Sequence, residues 1–453
     1  MTVRPDEAIT EEELAAAEAP EVSKRRSNQK GPGHFLRFLG PGIVTGAADD
    51  DPSGIVTYSQ AGAQFGLAAP WMMLFTYPIM TAVQEACMRI GAVTGKGLAA
   101  VIKERFPKWL LLPTVLLVVV ANTLNIGADI SAMAASTNLI VPIPYPALAI
   151  MFSLLMIILE VFVPYKSYAK MLKWLALALF SYVITAFLVN VPWLEVIKAT
   201  FIPKVQFNPA FLYIFVGVLG TTISPYLFFW QASEMVEDEI AAHRLAQSGG
   251  VPRLSKKYLK SLRWDTVFGM LFSNVMSWFI IIVSAVVLHQ AGVLTVNSAA
   301  DAAKALEPLV NGFPNAGTLA KIIFSVGVVG IGLMSVPVLA GSSSYAIAEA
   351  FGWNEGLFRK FASARAFYLV IILSTLVGLG MNFAGIDPIK ALVFSAVFNG
   401  VASVPLIAII YFVSRRRDVM GEHASGFWSQ TGLIAAWLVM AIASGAMIIS
   451  FFV

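Results

Sequence analysis

Eleven apolar stretches, each about twenty residues long, limit the folds that this chain can adopt. A helix of about 20 apolar residues crosses a membrane hydrocarbon core about 30 Å thick. The stretches lack the strict alternation of a membrane β-barrel, so they predict helical spans. They lie near residues 39–60, 68–92, 111–136, 144–163, 172–191, 207–235, 266–290, 317–341, 364–384, 388–413 and 429–452.

The composition agrees with a membrane protein, because 58% of the residues are hydrophobic and only 13% are charged. Such values exclude an ordinary soluble globular chain and predict an all-α polytopic membrane protein. Residues 1–30 hold no apolar run, so they predict a disordered cytoplasmic tail rather than a signal peptide or a span. Residues 31–453 then form a single transmembrane domain. Cys87 is the only cysteine, which excludes an intramolecular disulfide.

Basic residues are distributed unevenly between the two sides of the membrane. If the spans alternate in direction, all but five of the 31 lysines and arginines fall on the side of the N-terminus. Cytoplasmic segments collect Lys and Arg, so we predict a plasma (inner) membrane protein with a cytoplasmic N-terminus and an external C-terminus. The net charge of +4 follows from this topology and gives no reason to expect a nucleic-acid partner. The five exceptions are Lys198, Lys204, Lys304, Lys321 and Lys390.

Two of the predicted spans are interrupted near their centres. The first span contains DDDPSG and the sixth contains GTTISPY. Broken helices at matching positions of two halves are the best sequence indication of a transporter's substrate site. Because the two spans are five apart, they predict an inverted repeat, with repeat one at about 39–191, repeat two at about 207–413 and an extra helix at about 429–452. Two unrelated proline kinks are the alternative.

Three consecutive acids stand at the interruption of the first span. An ionised aspartate at the bilayer centre costs roughly 2.5 to 3.5 kcal/mol on insertion scales, and a bound cation would compensate for it. Pro52 and Gly54 open the helix and leave carbonyl oxygens free to join a carboxylate in a hard-oxygen site. Successive helical residues point about 100° apart, so we expect Asp51 to bind the ion and Asp49 and Asp50 to line a vestibule. The alternative is a shorter first span, with the acids in water at its outer end.

Three segments of the chain resemble the NRAMP family of divalent-metal transporters. They read GPGIVTGAADDDPSGIVTYSQAGAQFG, VTGKGLAAVIKERFP and SRRRDVMGE, and the similarity extends over about residues 31–422. The resemblance implies a leucine-transporter-like fold, in which metal is held between the unwound parts of helices 1 and 6. It also implies a secondary transporter rather than an enzyme, with the metal as substrate and no cofactor.

The chain departs from the family at the expected metal site, and these departures bear on selectivity. Transition-metal members carry Asp-Pro-Gly-Asn in helix 1 and Met-Pro-His in helix 6, where this chain has Asp51-Pro52-Ser53-Gly54 and Ser224-Pro225-Tyr226. A hydroxyl thus replaces a soft sulfur, and Gly54 removes a ligand and adds volume. An all-oxygen site suits Mg²⁺, which keeps several of its waters. The pattern is similar to the NRAMP-related magnesium transporters, and the resemblance implies ligation by Asp51, Gly54, the Thr221 carbonyl, Ser224 and a water held by Tyr226.

Proton coupling depends on titratable residues near the centre of the membrane. The family's helix-6 histidine is Tyr226 here, and the four histidines of the chain all lie near span ends or in loops. Asp129 matches an acid of the family's helix 3, but Ala132 replaces the acid that follows it. Asp129 has either a transport role or a purely structural one, and Asn399 either contacts the cavity or makes an interhelical contact.

These observations predict a monomeric carrier of partly hydrated Mg²⁺, and also of Mn²⁺, without obligatory proton coupling. An amino-acid transporter is disfavoured because the aspartates would repel a substrate carboxylate. The chain lacks the HExxH and GxSxG motifs of an intramembrane enzyme. A proton-coupled manganese transporter, an aluminium carrier and a non-transporting sensor on the same fold remain as alternatives.

Overall fold

The structure is a computed structural model, which describes residues 45–46, 48–163, 179–246, 249–313 and 315–452. Regular structure in that part of the chain is helical throughout. The α-helices are α1 Pro52–Phe65, α2 Trp71–Thr94, α3 Leu98–Arg105, α4 Lys108–Asn138, α5 Tyr145–Phe162, α6 Phe180–Leu188, α7 Trp193–Phe201, α8 Pro209–Thr222, α9 Pro225–Ala241, α10 Lys256–Ser284, α11 Ala299–Lys304, α12 Ala316–Phe351, α13 Arg365–Met381, α14 Pro388–Arg415, α15 Arg417–Met420 and α16 Phe427–Ser450.

Seven helical segments in the described residues are long and apolar enough to cross a membrane, and α13 is a shorter apolar helix. The pair α8–α9 forms one of the seven, and α10 forms another together with a π-helical turn, Ala285–His289. Of the predicted span at 172–191, the structure describes the residues from 179 onward, and α6 begins at Phe180. The predicted tail at 1–30 lies outside the described residues. The segments counted are Lys108–Asn138, Tyr145–Phe162, Pro209–Ala241, Lys256–His289, Ala316–Phe351, Pro388–Arg415 and Phe427–Ser450.

Two helices extend well beyond their apolar stretches. The helix predicted from residue 266 begins at Lys256, because Ser255 caps it by accepting a hydrogen bond from the Tyr258 amide at 3.2 Å. The helix predicted to end at residue 341 continues to Phe351 and stops where Gly352 adopts a left-handed φ of 74°. Capping residues therefore set these ends, while the sequence prediction followed hydropathy alone.

The first predicted span is interrupted at its aspartates. Residues 45–46 and 48–49 are helical, Asp50 lies in a bend, and α1 begins at Pro52. Asp51 is the N-cap of α1, with an extended backbone (φ −64°, ψ 170°) and a side chain that accepts from the Gly54 amide. Proline at the first helical position suits this start, because its missing N–H would have no helical partner there.

The sixth predicted span is interrupted in the same way. Helix α8 ends at Thr222, Ser224 is extended (φ −84°, ψ 134°), and α9 begins at Pro225. The Ser403 hydroxyl of α14 donates to the carbonyl of Ile223 at 2.6 Å, so a backbone group freed by the break is satisfied.

The two interruptions lie against each other. The Tyr226 hydroxyl donates to the Ala48 carbonyl at 2.9 Å, and the hydroxyls of Tyr58 and Thr222 are 3.2 Å apart. A Cβ built on Gly54 would lie 2.8 Å from the Thr221 hydroxyl oxygen. Because these contacts join residues from both breaks, they define one centre, which side chains of α4, α10, α12 and α14 surround.

Candidate metal centre

Asp51 is held by three hydrogen bonds at the start of α1. Its Oδ1 accepts from the Gly54 amide at 2.7 Å and from the Ser53 hydroxyl at 2.6 Å, while its Oδ2 accepts from Asn125 Nδ2 at 2.6 Å. The side chain is buried. Among the described residues no lysine, arginine or histidine forms a salt bridge with it. Asp51 is thus an oriented buried carboxyl whose charge has no cationic partner there.

Asn125 of α4 connects Asp51 to another helix. Its Nδ2 donates to Asp51, and its Oδ1 accepts from the Ser395 hydroxyl of α14 at 2.8 Å. The amide therefore links α1, α4 and α14 through one side chain. Asn125 and Ser395 are not among the site residues predicted from the sequence. The available signal was the spacing of Asn125 and Asp129, four residues apart and hence on one face of a helix.

Ser224 and Thr221 supply oxygen atoms from the second break. The Ser224 hydroxyl directs its proton toward the carbonyls of Gly220 at 2.8 Å and Thr221 at 2.7 Å. Its oxygen lone pairs are not used by these bonds. The Thr221 hydroxyl is buried, and no hydrogen-bond partner for it lies among the described residues. Thr221 thus offers a hydroxyl oxygen in addition to the carbonyl predicted from the sequence.

Gly54 adds no free volume to the centre. A Cβ there would lie 2.8 Å from the Thr221 hydroxyl oxygen and 3.3 Å from Cε2 of Tyr58. The space that a larger side chain would need is therefore filled, contrary to the expectation that glycine enlarges the site. A larger side chain at this position would have to displace the Thr221 hydroxyl.

Tyr226 is buried and joins the second break to the first. Its hydroxyl donates to the Ala48 carbonyl, and its own carbonyl accepts from the Ser342 hydroxyl of α12 at 2.8 Å. The phenol oxygen can still accept a hydrogen bond from a water. Tyr226 therefore both fixes the unwound part of the first span and presents an acceptor close to it.

The side chains of Asp49 and Asp50 point toward α10 and take no part in the hydrogen bonds of the Asp51 carboxyl. The Ser273 hydroxyl lies 2.7 Å from Asp49 Oδ2 and 3.2 Å from Asp50 Oδ1, and the Ser277 hydroxyl donates to Asp50 Oδ1 at 2.7 Å. The second oxygen of each carboxyl has no hydrogen-bond partner among the described residues. Both side chains have an exposed fraction of 0%, which excludes the alternative that they stand in water at the end of a short span.

Asp129 and Asn399 are buried beside the centre on α4 and α14. Asp129 Oδ2 accepts from the Ser335 hydroxyl of α12 at 2.9 Å, and its carboxyl is close enough to that of Asp51 to interact with it electrostatically. Asp129 Oδ1 and both polar atoms of the Asn399 side chain find no hydrogen-bond partner within the described part of the chain. The Asn399 side chain is therefore buried beside the centre with its polar atoms available, and the two roles considered for it stay predictions.

A cavity of about 800 Å³ lies at the other end of α1 from this centre. Gln60 of α1, Tyr213 and Ile214 of α8 and Val393 of α14 are among its lining residues. The helices that carry the centre thus also line the cavity. Asp387 and Lys390 contribute charged groups to it.

The sequence matches the family model described as "Nramp: Natural resistance-associated macrophage protein-like" over residues 42–450. That range includes both breaks and every residue of the centre. The chain belongs to the Nramp family. The family predicted from the sequence is thus confirmed, although the match does not distinguish a magnesium-transporting branch.

Curated relatives of this Nramp protein bear the name "Divalent metal cation transporter MntH". The one from Deinococcus radiodurans is 24% identical over 439 residues, which are 94% of this chain and 92% of the relative. The one from Caldanaerobacter subterraneus subsp. tengcongensis is 25% identical over 399 residues, or 86% of this chain and 87% of the relative.

Solved structures of transporters have the same fold. A manganese transporter of Eremococcus coleocola in complex with an aromatic bis-isothiourea compound gives a TM-score of 0.70 at 18% identity, covering 94% of this chain and 90% of that chain. MhsT in complex with L-phenylalanine gives 0.59 at 14% identity, covering 91% and 97%. These likenesses confirm the predicted fold class, a leucine-transporter-like inverted repeat with helices 1 and 6 broken.

Proposed function

We propose that this Nramp protein is a secondary transporter that imports divalent metal cations, with Mg²⁺ preferred and Mn²⁺ also carried. The observation that carries the proposal is the meeting of two helix breaks around the buried Asp51 carboxyl, which has no cationic partner among the described residues. A buried carboxylate is costly unless an opposite charge compensates for it. A divalent ion that enters the centre supplies that charge.

Asp51 is the charged ligand in this proposal, and neutral oxygens complete the set. Gly54 lies in the first turn of α1, so the backbone carbonyls at the break before Pro52 take its place as candidates. The Thr221 carbonyl and the Ser224 hydroxyl are the others, and Tyr226 would hold a metal-bound water. Neither break contains a sulfur-bearing residue between Ala48 and Gly54 or between Gly220 and Tyr226. Hard oxygen ligands and retained waters favour Mg²⁺ and Mn²⁺ over the softer Cd²⁺.

The proposal includes transport without obligatory proton coupling by a monomer in the plasma (inner) membrane. Tyr226 stands at the position of the family's histidine, and Ala132 replaces an acid of its helix 3. With the N-terminus cytoplasmic, a membrane potential of 100 mV drives a divalent ion inward with about 4.6 kcal/mol, twice the value for a single charge. That force allows concentrative uptake without a coupled ion.

The test is ion uptake into liposomes that contain the purified protein. A pH-sensitive dye inside the liposomes reports the lumenal pH, and the membrane potential is clamped. We expect Mg²⁺ and Mn²⁺ to enter without acidification of the lumen. Absence of metal uptake would contradict the proposed function. Acidification in step with metal entry, absent from protein-free liposomes, would contradict uncoupled transport alone.

A proton-coupled Mn²⁺ transporter is the second candidate, and a specific observation favours it. The carboxyls of Asp49, Asp50 and Asp129 each have one oxygen without a hydrogen-bond partner among the described residues. These oxygens can accept protons as well as metal-bound waters. The acidification arm of the liposome experiment separates the two candidates.

A further inference from the structure

A basic cavity of about 340 Å³ lies between the ends of three helices, and none of its described lining residues belongs to the metal centre. It lies where α2 approaches its end and where α10 and α16 begin. We call it the basic cavity and define it by its charged and aromatic lining, which is Glu85, Arg89, Lys256, Lys260, Arg263, Phe427 and Trp428. Its volume falls in the range of about 300 to 1,000 Å³ that is usual for small-molecule sites.

The floor of the basic cavity is a fixed network of charged and polar groups. The Arg89 guanidinium donates to the Glu85 carboxylate and, at 3.1 Å, to the Ser429 hydroxyl. Arg263 lies 4.0 Å from the other oxygen of Glu85. Arg89 and Glu85 are both buried, so their orientation does not depend on mobile surface side chains.

Positive charge exceeds negative charge in this cavity. Of the described lining residues, four are cationic (Arg89, Lys256, Lys260 and Arg263) and one, Glu85, is anionic, which gives them a net charge of +3 with His423 neutral. Lys256 and Lys260 are exposed and one helical turn apart, so both ammonium groups can reach a common anion at the rim. The cavity is thus suited to a phosphate-bearing ligand.

Exposed aromatic side chains stand beside this charge. Phe427 and Trp428 have exposed fractions of 74% and 80%, and the Trp264 and Phe268 rings stack on α10 at a centroid distance of 5.7 Å. Tryptophan and phenylalanine next to Lys and Arg at the ends of spanning helices are typical of the membrane–water interface. Basic pockets between spanning helices bind anionic lipid headgroups there.

We propose that the basic cavity binds the headgroup of an anionic phospholipid, with its phosphate against Arg89, Lys256 and Lys260 and its acyl chains along Trp428 and Phe427. Binding of the lipid at this site does not require the transported metal ion. The lipid holds the ends of α2, α10 and α16 together at one face of the membrane.

The test measures lipid retained by the purified full-length protein with native mass spectrometry, after exchange from mixtures of phosphatidylcholine and phosphatidylglycerol. Each basic residue near a lipid phosphate contributes about fivefold to affinity. We expect the double variant K256Q/K260Q to bind phosphatidylglycerol about thirtyfold more weakly than the unmodified protein. Lys257 is exposed on the same helix but does not line the cavity, so K257Q is the matched control and should bind as the unmodified protein does.

Glycerol 3-phosphate, which has the same phosphate chemistry without acyl chains, distinguishes a free phosphate ligand from a lipid. We expect no displacement of phosphatidylglycerol at millimolar glycerol phosphate, and weaker retention at high salt. Unchanged retention in K256Q/K260Q, an equal loss in K257Q, or displacement by glycerol phosphate would each overturn the proposal. Thermal unfolding of both variants confirms that they are folded.

Discussion

Replacement of Gly220 by alanine should disrupt the centre through backbone contact alone. A Cβ on Gly220 would lie 2.0 Å from the Ala396 carbonyl oxygen and 2.3 Å from the Gly400 amide nitrogen. Ordinary van der Waals contact begins at about 3.4 Å, so α8 and α14 would have to separate by more than about 1 Å. Neither backbone can move aside as a flexible side chain would.

The cost of this separation can be compared with the usual effect of the same substitution. Glycine to alanine inside a helix ordinarily stabilises by about 0.5 to 1 kcal/mol. Overpacking of this kind costs about 1 to 3 kcal/mol or more, so the sign is reversed. Thr221 follows Gly220 directly, so its oxygens shift too, and a displacement of 1 Å at a preorganised site can reduce its rate about a hundredfold.

The assay compares Gly220→Ala with Gly445→Ala, whose Cβ would meet no atom within 4 Å. Melting temperature in detergent and Mg²⁺ uptake in liposomes are measured for both variants. We expect Gly445→Ala to melt at or above the temperature of the unmodified protein, while Gly220→Ala melts lower and carries far less metal. Equal melting and equal uptake by the two variants would show that the contact between α8 and α14 is not as close as described.

Three further predictions concern single side chains. Asn125→Ala removes a hydrogen bond to the Asp51 carboxylate, worth about 1.5 to 3 kcal/mol, so the Mg²⁺ concentration for half-maximal uptake should rise by roughly 10- to 150-fold; an unchanged value would contradict the orienting role. Ser224→Met restores a soft ligand, so Cd²⁺ should compete with Mg²⁺ much better in this variant than in the unmodified protein, and equal competition would argue against Ser224 as a ligand. Burial, followed by repulsion from Glu349 and Glu237, raises the pKa of Glu355 to about 9. The folded state therefore keeps a proton that the unfolded state loses, so the free energy of unfolding falls as the pH rises from about 4.5 to 9. Glu355→Gln should melt at a higher temperature than the unmodified protein at pH 8, and its melting temperature should depend less on pH. Melting temperatures of the two proteins that change with pH in parallel would refute this assignment.

The positions of the helix breaks could be predicted from the sequence because local chemistry determines them. Asp51 and Pro52 form an N-cap and first helical residue, and Ser224 and Pro225 repeat the arrangement. Cap and proline preferences act within four residues, so they are visible in a short segment. Hydropathy likewise located most spans, since each span must match the same membrane thickness.

The partners of the acids could not be predicted because they come from distant segments. Asn125 contacts Asp51 across 74 residues of the chain, and Ser273 contacts Asp49 across 224. Ser395 contacts Asn125 across 270 residues. Serine and asparagine occur throughout membrane helices as ordinary interhelical contacts, so neither residue type marks a site by itself. Only the packing of α4, α10 and α14 around the breaks identifies them.

Mg²⁺ uptake by Asp51→Asn shows whether the Asp51 carboxylate binds the transported ion. Asparagine keeps an oxygen for the Gly54 amide and so preserves the cap of α1, whereas alanine would also remove all three hydrogen bonds that Asp51 accepts. The purified variant is reconstituted beside the unmodified protein, with melting temperature as the check on folding. We expect folded Asp51→Asn to carry Mg²⁺ no faster than it leaks into protein-free liposomes. Uptake at the unmodified rate by a folded Asp51→Asn protein would contradict the claim that this carboxylate binds the transported ion.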